Sequence, residues 1–334
     1  MLLHNWNRVT FCFCLTPIVL FLSMGCWGRA EENESNTEAN QEVTVEEVIQ
    51  RLAQVEAKLH GFRVQCLSTV NRQSMNIGVI GEGPEKIFGD VSSSRATINA
   101  VWHYRHNGSW RFEADLVQTD VTADGAKQTK KFSAYSVFDG PRGRGKYLWL
   151  NSPDSDVRVS GENEEKYVST PQGHLQSRPL EFLTQSSGRS FSDEISQGEA
   201  KITRREMLDD RPLIVSTTKA LQVRPNIKFY HYREFWIDVE RGVVVRRQTF
   251  SREAEDSPWG LQRRQESSGF EWDAGLELWL PTLAKEFQWH VDGQGQGKLY
   301  SLEVFAYSDW EINPQFAPET FSIDQSWYSP NDRH

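Results

Sequence analysis

Cysteine is scarce. The chain has four in 334 residues. Cys12, Cys14 and Cys26 fall within the first 26 positions and leave Cys66 alone in the body, so no intramolecular disulfide framework holds the fold and packing must do so. Positive charge is neither in excess nor clustered. Lys and Arg number 37 against 46 Asp and Glu, for a net charge of −9, and the basic residues are dispersed, which argues against a nucleic-acid surface as the main role. There is no Gly-x-Ser-x-Gly, no glycine-rich loop ending in Gly-Lys-Ser/Thr and no His-Glu-x-x-His, so serine-hydrolase, P-loop and zincin chemistry lack their signatures. The acidic run at 154–165 lacks calcium-loop spacing, and His103 and His106, three apart on a strand, face opposite sides. No cofactor and no metal site are expected.

A long hydrophobic run occurs only at the start. His4 and Arg8 precede an almost wholly apolar stretch at 9–24, with the length and flanks of a secretory signal; an uncleaved anchor is the alternative. Either places the body outside the cytoplasm. Ser23-Met24-Gly25-Cys26 resembles a bacterial lipobox, which makes Cys26 the lipidation candidate and a lipid anchor a membrane contact. Residues 1–26 are therefore read as a signal peptide, 27–43 as a polar, acidic tether, 44–325 as one domain and 326–334 as a polar tail.

What the chain does have is alternation. FYHYREFWIDVERGVVVRRQTF, SGFEWDAGLELWLPTLAKEFQWHV and KLYSLEVFAYSDWEINPQF carry β-branched and aromatic residues at period two, broken by turns at Glu240-Arg241-Gly242, Asp273-Ala274-Gly275 and the glycine-rich 292–297. Upstream, 62–70 reads as a strand, Asn107-Gly108 as a hairpin turn, Asp139-Gly140-Pro141 and Asp209-Asp210-Arg211 as further reversals. Helical spacing is confined to 45–59, where Thr44 and Glu47 form a capping box, and to a short segment at 178–184 opened by Pro179. The resulting fold class is mainly β (α+β): a single wide, strongly curved antiparallel sheet, an open β half-barrel, with the N-terminal helix and the short mid-chain helix covering its concave face.

Two sets of side chains are candidates for function. Trp102, Trp110, Phe112, Trp149, Trp272, Trp279, Trp289 and Phe305 are large aromatics that either fill the core or line a cavity for a greasy ligand. Glu271, Asp273, Glu277, Glu286, Glu303 and Glu311 supply the carboxylates that glycosidase chemistry would need, but alternation assigns them to the solvent face. Cys66, in the strand-like FRVQCLSTV, reads as a buried structural thiol.

The order and texture of 45–323 resemble the periplasmic lipoprotein carrier superfamily: the outer-membrane lipoprotein carrier, its anchored receptor partner and related sensor and mycobacterial lipid-carrier domains. LAQVEAKLHGFRVQ leading into the first strand, WRFEADL, FDGPRGRGKYLWL, the Pro-Leu-Glu-Phe-Leu helix, EMLDDRPLIVSTT, FWIDVERGVVVRRQTF and YSDWEINPQFAPETFSI carry the likeness. The resemblance implies an open β half-barrel whose concave apolar face, lidded by helices, holds acyl chains. It implies a non-enzymatic, exported binder or carrier of lipid or lipoprotein acyl chains in the periplasm or at a bacterial membrane's periplasmic face. Two other classes stand beside it: an envelope sensor or scaffold that contacts a protein partner, and a carbohydrate-active or sugar-binding protein.

Overall fold

The computed structural model describes residues 43–73, 91–106, 108–122, 124–139, 144–150, 158–160, 179–186, 189–198, 200–219, 230–252, 256–292 and 294–322. The leader with Cys26, nearly all of the tether and the 326–334 tail lie outside them.

Helix α1 (Val45–Lys58) starts where the capping box places it. The Thr44 hydroxyl accepts from the Glu47 amide at 3.2 Å and the Glu47 carboxylate accepts from the Thr44 amide at 2.8 Å. Thr44→Ala is expected to lower stability by about 1 kcal/mol, read as a shift of the denaturation midpoint at unchanged m-value.

The strands follow in chain order: β1 (Gly61–Gln73), β2 (Val91–Arg105), β3 (Trp110–Thr122), β4 (Lys127–Asp139), β5 (Arg144–Leu150), β6 (Arg158–Ser160). Next come α2 (Leu180–Leu183), β7 (Gln185–Ser186), β8 (Arg189–Ser190) and α3 (Phe191–Gln197). Then follow β9 (Lys201–Leu208), β10 (Arg211–Lys219), β11 (Tyr230–Asp238), β12 (Val243–Arg252), β13 (Gly260–Ser268), β14 (Glu271–Asp273), β15 (Leu278–Leu280), β16 (Leu283–Val291), β17 (Gly297–Ile312) and a 3₁₀ turn (Pro318–Phe321). The reversals use residues suited to them: Asp209 and Asp210 both take positive φ, 49° and 61°, as a two-residue hairpin of primed type needs.

Thirteen strands form one antiparallel sheet in the order β6-β5-β4-β3-β2-β1-β17-β16-β13-β12-β11-β10-β9. The chain is mainly β with helices, as its alternation implies. The strongly curved half-barrel is not what forms. The sheet is neither closed nor strongly curled, and among the described residues β6 and β9 are its two edges. The reason lies in how its faces are covered. At the β10–β12 end, Ile214, Phe235, Ile237 and Val244 pack with Val48, Leu52, Phe191 and Ile195 on one side. Leu213, Val215, Trp236, Val243 and Val245 pack with Phe270 and Trp279 on the other. With both faces covered at this end, β10–β12 are not drawn around a single layer, and open sheets of about this width do occur.

Two further departures follow from short-range chemistry. EWDAGLELWL does not join the ladder; β14 and β15 pair with each other, and the ladder breaks at Gly269, at φ 62°, whose carbonyl accepts from the Thr282 hydroxyl at 2.5 Å. Helix α3 was not expected. Its start is nonetheless marked, because the Ser190 hydroxyl accepts from the Asp193 amide at 3.1 Å.

Candidate functional site

Period two assigns alternate residues to one face, and on the face that carries α2 this yields a buried polar row. Register places Arg247 of β12 opposite Gln265 of β13, Gln265 opposite Glu286 of β16, and Glu286 opposite Glu303 of β17. Glu286 is 1% exposed and Glu303 6%. Assigning these two carboxylates to the solvent face is therefore wrong: alternation groups Glu286 with the buried Ala284 and Glu303 with the buried Phe305, but does not say which face is covered.

Charge pairing makes this burial tolerable. The Arg263 Nη2 donates to Glu286 Oε2 at 2.6 Å and to Glu181 Oε2 at 2.8 Å. The Gln265 amide donates to the same two oxygens at 3.0 and 3.3 Å, and itself accepts from Arg247. Gln288 donates to the other Glu286 oxygen and accepts from the Tyr300 hydroxyl at 2.6 Å. Ser68 of β1 donates to Glu303 at 3.3 Å. Burial, and then Glu286 across the strand pair, push the Glu303 carboxyl up to about 8, against the opposing pull of Arg72 and Ser68; at neutral pH it is mostly the neutral acid. Burial and neighbouring Arg263 pull Arg247 down to about 10, still charged. Burial also works against the Arg263 charge, but Glu286 and Glu181 more than offset it and leave that group's pKa raised.

Helix α2 ties this row to the apolar side of the molecule. Its Glu181 reaches the arginines, while Leu180 and Phe182 enter the core, Phe182 lying 5.2 Å from the Phe305 ring. Ser267 donates to the Phe182 carbonyl at 3.3 Å, and α2 has no side-chain N-cap. Next to it, where α1, α2 and the β14–β15 hairpin meet, lies an apolar recess whose lining includes Val55, Leu59, Phe182, Leu183, Trp279 and Leu280, with a cavity of about 10 Å³.

The aromatics singled out from the sequence are dispersed. Trp102, Trp110, Phe112 and Phe305 belong to one buried core with Phe62, Val64 and Leu116. Trp279 lines the recess and stacks, tilted, at 5.2 Å on Trp272, which is 49% exposed. Trp289 stacks on Phe287 under Arg264. The Trp149 side chain lies outside the described residues. Cys66 is buried and free, and burial followed by the charge of Glu303 pushes its thiol well up, away from thiolate reactivity. A glycosidase pair has to face a cleft; Glu286 and Glu303 are instead buried, and Glu286 is taken up by Arg263 and Gln265.

Reasoning from sequence missed Arg247, Arg263, Gln265 and Glu181 altogether. The available signal was the charge pattern of VVVRRQTF and LQRRQESS, in which arginines and glutamines stand where alternation calls for buried residues.

No family model and no curated protein matches the chain. Solved structures that resemble it include a domain assigned to outer-membrane lipoprotein sorting from Vibrio parahaemolyticus, at 8% identity and TM-score 0.42, covering 83% of this chain and 97% of that one. A DUF1329 family protein from Desulfovibrio piger aligns at 13% identity and TM-score 0.44, over 84% and 97%. The lipoprotein LppX of Mycobacterium tuberculosis aligns at 12% and 0.23, over 80% and 97%. At these identities and scores none of them assigns the chain to a family.

Proposed function

We propose that the protein is an exported, non-enzymatic binder or carrier of an apolar ligand of the acyl-chain type, taken up where α2 sits. The observation that carries this reading is the recess between α1, α2 and the β14–β15 hairpin, lined by aliphatic and aromatic side chains. Phe182 and Leu183 are part of that lining. The cover is a single helical turn without a capping side chain, an element short enough to open locally. Displacing it gives an alkyl chain the seats of Phe182 and Leu183 against Phe305, Trp279 and Leu280. Each buried methylene is worth about 0.8 kcal/mol, and no covalent step is needed.

The test is titration of the full chain with a fluorescent fatty acid, alongside native mass spectrometry after gentle extraction. Saturable one-to-one uptake is expected, and Trp279→Asp, at a lining residue that stays in place when α2 moves, should weaken it at least fivefold while leaving the far-UV circular dichroism unchanged. A chain that takes up no probe and carries no lipid on extraction rules the reading out.

A further inference from the structure

The charged row beneath α2 is asymmetric. Its sheet side is built from strands β1, β12, β13, β16 and β17 and holds Arg72, Arg247 and Arg263 against Glu286, with Glu303 kept neutral by burial. Among the described residues, the other carboxylates acting on these arginines ride on helices: Glu194 of α3 acts on Arg247, and Glu181 Oε2 of α2 accepts from Arg263 at 2.8 Å and from Gln265 at 3.3 Å, and stands 4.0 Å from Arg247 Nη2. Each of these donors belongs to a central strand, whereas the acceptor rides on a four-residue helix. When α2 moves aside, the sheet keeps its donors and loses a carboxylate in a place where unmatched charge is costly. The residues on either side of Glu181, Leu180 and Phe182, are the apolar ones that the same movement withdraws from the core.

We infer that Glu181 stands in for the head of the ligand: Arg263, Gln265 and Arg247 form a head-group site for a carboxylate borne on an acyl chain, whose tail replaces Phe182. The inference rests on the proposed apolar-ligand reading and narrows it to anionic amphiphiles of the fatty-acid kind. A guanidinium with a side-chain amide beside it matches the two oxygens of a carboxylate, while an uncharged head of the same tail would not replace the acceptor that Arg263 and Gln265 lose with Glu181. Negative charge leaves and negative charge enters, so the net charge of the row is the same in both states.

Calorimetric titration of the full chain with oleate, oleyl alcohol and acetate tests this without any substitution. Oleate is expected to bind at least tenfold more tightly than oleyl alcohol, and acetate, lacking the tail, at least a thousandfold more weakly than oleate. In the double variant Arg263→Gln/Glu286→Gln, which leaves neither partner as a lone buried charge, the oleate-to-alcohol ratio should fall towards one. Glu181→Gln should strengthen binding of both long-chain probes by a similar factor, because it loosens α2 without touching the donors. Equal affinity for oleate and oleyl alcohol in the unsubstituted chain overturns the head-group site and leaves the apolar-binder reading standing. So does a preference that survives in the double variant, or acetate binding that rivals oleate. Failure of both long-chain probes to bind overturns the two together.

Discussion

Arg263→Met is expected to lower the unfolding free energy by about 3–5 kcal/mol, the usual result of removing one partner from a buried ion pair. The cost arises less from the lost attraction than from what stays behind. Glu286, 1% exposed, loses its donor at 2.6 Å and keeps a charge that water cannot reach. The companion variant separates these contributions. Arg263→Met/Glu286→Leu removes both charges and fills the space with hydrocarbon, so it should recover most of the loss and end within about 1–2 kcal/mol of the parent protein. Denaturant titration of the three proteins provides the comparison. A single variant as stable as the parent would show that Arg263 is not what holds Glu286 in place.

Stability should also fall by about 2 kcal/mol between pH 6.5 and 8. The sign follows from Glu303, whose folded pKa of about 8 lies above its ordinary 4.5. Its contribution is complete below pH 4.5 and is lost as pH rises through 8, because the unfolded chain gives up the proton first. Glu56, raised mainly by burial, works in the same direction. His103, lowered by burial to about 4, and His231, also lowered, oppose it below pH 6.5, so the profile is nearly level from 5 to 6.5 and then declines. The groups facing Glu303 are Glu286 on β16, Arg263 on β13, Arg72, Ser68 and Cys66 on β1, and Tyr307 on its own strand. Glu303→Gln, which imitates the protonated acid, should flatten the decline above pH 6.5. An unchanged slope in that variant would place the titration elsewhere.

Much of the architecture was legible in the sequence because it is set by local chemistry. The Thr44–Glu47 box, the reversal at Gly108, the Asp209-Asp210 turn and the period-two runs each mark an element through residues close together in the chain. The rest depends on distant partners. Whether β14 and β15 join the ladder or stand apart turns on the break at Gly269, at φ 62°, and Thr282, and the second cover of β10–β12 turns on Trp279 and Phe270. The candidate site was the least legible part. Glu286 and Glu303 lie 17 positions apart, and nothing near either indicates that Arg263 and a helix around Glu181 will cover them. Alternation gave their parity; only the assembled sheet gives their burial.

The pairing of β1 with β17 has a consequence for how the sheet comes together. Strands β2 to β6 and β9 to β13 each pair with the next strand in the chain, so each half is a meander whose contacts span far less chain than the seam. The seam between the halves joins residues such as Arg63 and Glu311, 248 positions apart, and closing so large a loop costs more entropy than any hairpin in the molecule. The first strand to be made is thus completed by the last, and the centre of the sheet stays unzipped until nearly the whole polypeptide is present.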